Sequence, residues 1–401
     1  ISAGGEPWGL RGMKIYARDF CFPVLTPGRG HGLPTDDESY EILFRRACQA
    51  IRMETLPNAF GWMGALFHIT QDTAAPPHAL NHMGKEHSPM ENWLDSKQIV
   101  IDGYEPKCLG KTEDEALAGY LERMRDLRAY VLPRAETVLP LVRADDRPAA
   151  EPLILECALE AARAHADLVH TLGGLVDQLK PAPGTGTLRG TVATTSVPGG
   201  ERFPVKVMLK GTPFSTLADL DGRFELRGLK PGNYEVLAMR PGSRPGSATA
   251  KVEADGTAEL NMSLKPSDPP GNLLRNGDFS VNWIREFVSK PDWQGPDGWQ
   301  RVLGANPHWI SETAFVPTGS IVRLSVKWKE NAEGEVKLIW RMRSGWKEEI
   351  PLTAPQSQQE FTAPLDRTAF AEQVRLYVKT PGDLQESLEY IAISITTNAN
   401  K

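Results

Sequence analysis

The sequence predicts a multidomain protein, one all-α domain followed by two all-β sandwich domains. Three observations carry that prediction. The chain has 401 residues, enough for two or three domains that each bury a core. Its apolar period changes from helical to alternating near Leu188. Two stretches rich in Pro and Gly, KPAPGTGT from Lys180 and KPSDPPG from Lys265, interrupt the pattern and read as linkers. The domains therefore span residues 1–182, 186–266 and 271–401.

In the first domain, AFGWMGALFHITQD reads as a strongly apolar helix that ends before Pro76 and Pro77. HSPMEN starts another, with Ser88 as its N-cap, Pro89 as its first residue and Glu91 at its third. Further on, Thr112 is placed as the N-cap of a long helix that repeats Leu117, Tyr120, Leu121, Met124 and Leu127 at helical spacing. EPLILECALEAARAHADLVHTLGGLVDQL is a second long helix. From Leu188 the segments RGTVATT, PVKVMLKG, DGRFELRGL, NYEVLAMR, TAKVEA and TAELNMSL read as short strands divided by Gly, Pro and Asp turns. The stretch DGRFELRGLKPGNYEV resembles the carboxypeptidase regulatory-like domains, with Tyr234 as a tyrosine-corner device. In the third domain, Asn272-Leu273-Leu274, Asn276-Gly277-Asp278-Phe279 and Pro296-Asp297-Gly298-Trp299 resemble the start of the galactose-binding-like jelly rolls found among carbohydrate-binding modules.

Hydrophobic residues make up 40% and charged residues 24%, which is a globular balance. The net charge of -6 gives no basic bias toward nucleic acid or acidic lipid, so no specific nucleic-acid binding is expected. No transmembrane run is visible, and no signal peptide; one has been removed already, or the sequence begins inside a longer protein. The four cysteines, Cys21, Cys48, Cys108 and Cys157, allow two disulfides or four buried thiols, and their spacing does not fit a thiolate zinc site.

Four of the eight histidines, His68, His78, His82 and His87, crowd into one stretch with Asp72 and Glu91. His68 and Asp72, like His87 and Glu91, stand four apart, so each pair shares a helix face and can chelate one ion. Imidazole with carboxylate and no thiolate suits zinc held for catalysis. His82 reads as supporting or exposed, and His165 and His170 as packing or surface residues.

The run of His68, Asp72, Pro76, His78, Ala79 and Asn81 resembles the signature of bacterial zinc-dependent phospholipases C. HSPMENWLD is similar to that family's second metal helix, and YARDFCFPVLTPGRGH to its upstream loop. The resemblance covers about Ile15 to Lys180. It implies one zinc ion on Asp19, His31, His68 and Asp72, and a second on His78, His87 and Glu91 with a position left for water. It also implies an enzyme that hydrolyses phosphodiesters by zinc-hydroxide attack on phosphorus. Asp19 would act as proton acceptor, and a phospholipid would yield diacylglycerol and a phosphorylated head group. Phe20 falls where the family sets an aromatic near choline, where cation–π attraction suits a quaternary ammonium. The family's third zinc uses an N-terminal Trp and a first-helix His. Here Trp8 is not terminal and no His precedes Asp19, so either the true N-terminus is missing or the site has two metals.

Related single-strand nucleases of the same fold generally carry Asp where this chain has Glu91, which favours the phospholipase reading over a nuclease or nucleotide phosphodiesterase. A third reading is a non-catalytic cell-surface binding protein with a decayed zinc domain. The expected location is secreted, cell-surface or periplasmic. Seven of the ten tryptophans follow Lys265. Trp328 and Trp340 sit in strand patterns, whereas Trp293 and Trp309 lie in Pro- and Gly-rich surroundings that read as loops. The expectation is that Trp293 and Trp309 stack on sugar rings, making a glycan a partner of the last domain.

Overall fold

The computed structural model describes residues 37–82, 84–195, 204–283, 295–296, 298–302, 306–311, 314–317, 319–342, 345–365 and 373–396. The described residues form two compact units that meet in sequence at Pro181 and Ala182. The first is helical and the second is built of β-strands. Among the described residues, no helix is long and apolar enough to cross a membrane.

Helix α1 (Asp37–Met53) buries Tyr40, Leu43, Phe44 and Ala47, spaced three and four apart as one face requires. Helix α2 (Leu56–Ala74) buries Trp62, Leu66 and Ile69. Two short helices follow, α3 (Pro76–Ala79) and α4 (His87–Asn92). The unit closes with two long helices, α5 (Glu113–Arg143) and α6 (Arg147–Leu175). The Thr112 side chain accepts from Glu115 N–H at 3.3 Å, so the predicted cap is present. Three acidic residues in the first turn of α5 and Arg143 in its last complement the helix dipole. Asp146 caps α6 by accepting from Ala149 N–H at 3.2 Å, directly after Asp145 has turned the chain at φ 57°. Asp167 is fully buried, a costly place for a carboxylate without partners. It accepts from Tyr104 Oη–H at 2.7 Å, Lys107 N–H at 2.7 Å and Arg123 Nε–H at 2.9 Å, which fastens the long connection before α5 to α6.

Cys48 and Cys157 are buried free thiols, as the buried-thiol alternative expects, whereas Cys108 is a free thiol but exposed; Cys21 lies outside the described residues. Burial pushes the Cys48 and Cys157 thiols up to about 12.

In the second unit, seven strands form the first sandwich: β1 (Gly186–Ala193), β2 (Lys206–Leu209), β3 (Ser215–Leu217), β4 (Arg223–Leu229), β5 (Gly232–Met239), β6 (Gly246–Val252) and β7 (Thr257–Ser263). One sheet has the order β4-β1-β7 and the other β3-β2-β5-β6. β1 pairs with β7 in parallel, and a Cβ on Gly190 would stand 1.7 Å from the Leu260 carbonyl oxygen, so glycine is required there. Tyr234 Oη donates to the Lys230 carbonyl at 2.8 Å, as the tyrosine-corner reading expects.

The remaining strands form a seven-stranded and a three-stranded sheet around one core, with a short two-stranded pair beside them. The NLLRNGDFS stretch is structural. Asn272 Oδ1 accepts from Leu274 N–H and Ile393 N–H at 3.1 Å each, and its Nδ2 donates to the Ile391 carbonyl at 3.0 Å. The expected linker KPSDPPG is packed rather than loose. Ser267 is buried, its N–H donates to the Gly242 carbonyl at 2.9 Å, and its hydroxyl accepts from Asn272 N–H at 3.0 Å. Met208 and Met239 of the first sandwich share a buried cluster with Val281 of the last one.

Candidate metal centre

The site is assembled where α2 ends. Ala75 leaves the helix at ψ 124°, and Pro76 and Pro77 start α3, which carries His78. Asn81 takes φ 51° and stops the short helix. The chain then folds back, with His82 N–H donating to the Pro77 carbonyl at 2.8 Å, and α4 begins at His87. Met90, fully buried against Val138, Val142, Ala150 and Ile154, anchors α4 to the long helices. Ser88 is not the cap of α4: the helix starts one residue before it, and Glu86 occupies the cap position.

Three predicted ligands converge. The ligand atoms of His78, His87 and Glu91 all lie within 4.8 Å of one another. Glu91 Oε1 is 3.0 Å from His78 Nε2 and 3.1 Å from His87 Nε2. Asp72, buried, comes next: its Oδ1 is 3.9 Å from His78 Nε2 and its Oδ2 is 3.6 Å from His68 Nε2. Asp72 thus stands between the His68 side and the triad. Asp19, Phe20, His31 and Trp293 lie outside the described residues.

His87 Nδ1 is 2.7 Å from the carbonyl oxygen of His82. A carbonyl only accepts, so Nδ1 carries the proton, and the lone pair of a neutral ring sits on Nε2, facing the triad. A lone pair aimed at a carboxylate oxygen repels it; a cation between them reverses the sign. Two imidazoles and one carboxylate fit a divalent ion that retains an open position, and zinc suits that donor set. A metal ligand whose other ring nitrogen is held by a carbonyl is a standard outer-shell arrangement.

With no cation between them, the imidazoles and the carboxylates share protons instead, and the titration of the groups follows. Burial works against charge on His78, but the hydrogen bond to Glu91 and the Asp72 and Glu91 charges outweigh it, and its pKa is raised. Burial works to raise Glu91, yet the His78 hydrogen bond and both imidazoles hold it below the usual carboxylate range.

The other histidines divide as follows. His82 Nε2 is 2.9 Å from Glu86 Oε2, and that contact holds Glu86 below its usual range. The sequence reading missed the role of its backbone carbonyl toward His87. Its i,i+4 spacing to Glu86 was the available signal. His165 Nε2 meets the Phe67 carbonyl at 3.0 Å, and burial lowers its pKa, so it is a neutral packing residue. His308 stacks on Tyr377 with centroids 3.9 Å apart.

Trp309 is corrected. It lies on the strand His308–Ser311, is 3% exposed, and belongs to the core with Trp299 and Trp340. Alternation puts Trp309 and Ser311 inward and His308 and Ile310 outward, so its ring is buried and presents no face to a sugar.

Several solved structures show distant likenesses. A type II cohesin-X-dockerin complex mutant from Acetivibrio cellulolyticus is 21% identical over 21% of this chain and 59% of that chain, with a TM-score of 0.18. The secreted serine protease VesC from Vibrio cholerae is 10% identical over 53% of this chain and 44% of its own, TM-score 0.18. The Bacteroides ovatus mixed-linkage glucan utilization locus protein SGBP-B, in complex with a heptasaccharide, is 9% identical over 50% of this chain and 51% of its own, TM-score 0.15. No curated protein matches the chain. One family model does: residues 187–265 match the carboxypeptidase regulatory-like domain, and that part of the chain is similar to it.

Proposed function

We propose that the helical unit holds a catalytic divalent metal, zinc, and hydrolyses phosphodiesters, with phospholipids as the leading substrate class, while the β-sandwiches attach it to a surface. The observation that carries this is the convergence of His78, His87 and Glu91 with the His87 lone pair turned inward. His78, His87 and Glu91 would hold one ion, and His68 and Asp72, with Asp19 and His31, a second. Zinc supplies Lewis acidity toward a phosphate oxygen and lowers the pKa of a water it holds. Glu91 and Asp72 contribute the negative charge that keeps cations in the site. His78 is oriented by both carboxylates. Asp19 is proposed as the proton acceptor, and Phe20 as the aromatic contact for a quaternary ammonium head group.

A second reading is a non-catalytic surface-binding protein whose partner is a glycan. The match of residues 187–265 to a carboxypeptidase regulatory-like domain supports it, together with the β-sandwiches that make up more than half of the chain. One experiment separates the readings: full-length protein with added zinc, offered a choline phospholipid and single-stranded DNA in parallel. Release of phosphorylated head group supports the first reading. Cleavage of DNA alone makes the site a nuclease. Stoichiometric zinc without hydrolysis of either leaves the surface-binding reading.

A further inference from the structure

We propose that His82 and Glu86, tied to Arg143 at the end of α5, form a pin that fixes the position of the metal ligand His87. The inference rests on the metal centre proposed above and assigns positioning residues that the ligand motif does not contain. His87 is oriented through one backbone atom, the His82 carbonyl, at 2.7 Å. That atom lies in the turn between α3 and α4, where regular helical hydrogen bonding does not hold the backbone. A side-chain contact closes the turn instead. His82 Nε2 meets Glu86 Oε2 at 2.9 Å, and Glu86 Oε1 meets Arg143 Nε at 3.4 Å. The His82 and Glu86 side chains are 19% and 11% exposed, sheltered enough for the contact to persist. Two backbone bonds frame it, His82 N–H to the Pro77 carbonyl at 2.8 Å and His87 N–H to the Gly84 carbonyl at 3.1 Å.

Gly84 lies under the pin. A Cβ there would stand 2.7 Å from His82 Nε2 and 2.9 Å from Glu86 Oε2. Both atoms end side chains that can rotate away, so Gly84→Ala parts the pair while the backbone keeps its path. With the pair parted, the His82 carbonyl is free to turn, and His87 Nε2 is no longer held toward His78 and Glu91. Loss of an outer partner of a ligand costs about ten- to a hundred-fold in metal affinity.

The test measures zinc affinity of the full chain by competition with a chromophoric chelator, and the visible absorption of the cobalt(II) form, which reads ligand geometry. Glu86→Ala and Gly84→Ala are expected to weaken zinc binding by about ten-fold or more and to change the cobalt bands. Glu86→Gln, which still reaches both His82 and Arg143, is expected to restore most of the affinity. If the contact only stabilises the turn, the substitutions lower the melting temperature and leave the cobalt bands as in wild type, and the pin is overturned. Wild-type-like affinity and bands in folded Glu86→Ala overturn the pin; where that variant does not fold, Gly84→Ala decides in the same way. A wild-type chain that takes up no zinc removes the metal centre itself, and the pin with it.

Discussion

Glu91→Gln tests the centre most directly, because Glu91 Oε1 contacts both imidazoles at 3.0 and 3.1 Å. The amide is the same size but a far poorer metal ligand. A ligand that binds only the folded state adds RT ln(1 + [L]/Kd), about 2.7 kcal/mol when zinc is held at 100 times the wild-type Kd. The unit that melts is the helical one, which ends at Pro181. With about 2.1 cal/mol/K per residue over roughly 150 residues, its unfolding entropy is about 0.3 kcal/mol/K. Zinc should therefore raise the wild-type melting temperature by about 9 °C. If Glu91→Gln weakens binding about a hundred-fold, the same zinc concentration adds only about 0.4 kcal/mol, a shift of roughly 1 °C. The Glu91 side chain is 36% exposed, so its replacement should leave the chelated protein near the wild-type melting point. The assay is calorimetry of both full-length proteins, with chelator and with zinc. Equal zinc-induced shifts in the two proteins would refute the ligand assignment.

Asp72→Asn should abolish hydrolysis and leave the β-unit folded, since Asp72 stands between His68 and His78; near-normal turnover on the substrate would contradict the proposed chemistry. Trp309→Ala should destabilise the last sandwich by about 3–5 kcal/mol, because a ring buried in the core is removed, and denaturant unfolding measures it. Tyr234→Phe should cost about 0.5–1.5 kcal/mol in the same assay, through the lost bond to the Lys230 carbonyl. Burial first, then the Asp167 hydrogen bond, pushes the Tyr104 phenol up to about 12. Its contribution is fully present below the unfolded value near 10 and is lost as pH rises through 12, so alkaline unfolding of Tyr104→Phe should lack that part of the pH dependence.

Local devices were readable in the sequence. Thr112 caps α5 because its hydroxyl reaches a backbone N–H three residues on, an interaction confined to one turn. The His68–Asp72 and His87–Glu91 pairs were readable for the same reason, since helical geometry alone brings them together. What joins His78 to Glu91 is different. That contact spans thirteen residues and depends on a reversal at Asn81 and on Met90 seating α4 against the long helices. The parallel pairing of β1 with β7 is likewise a tertiary outcome that strand patterns do not encode. Trp309 reads as a loop residue because Pro307 and Gly304 stand beside a four-residue strand too short to display its alternation. Ser88 was misread as a cap because a Ser-Pro pair looks like a helix start, whereas the chain already enters helical geometry at Glu86, with φ -73° and ψ -15°.

The packed KPSDPPG segment changes what the two sandwiches can do together. With Ser267 and Asn272 stitched to Gly242, and Val281 seated on Met208 and Met239, the joint resists swivelling. A flexible tether lets a terminal module sample a volume and meet ligands in any direction, at an entropic cost when it is caught. A stitched pair gives up that reach and incurs less of that cost. A ligand held by the last sandwich would then fix the attitude of its neighbour as well, and the two would work as a single bracket whose orientation is set by one attachment.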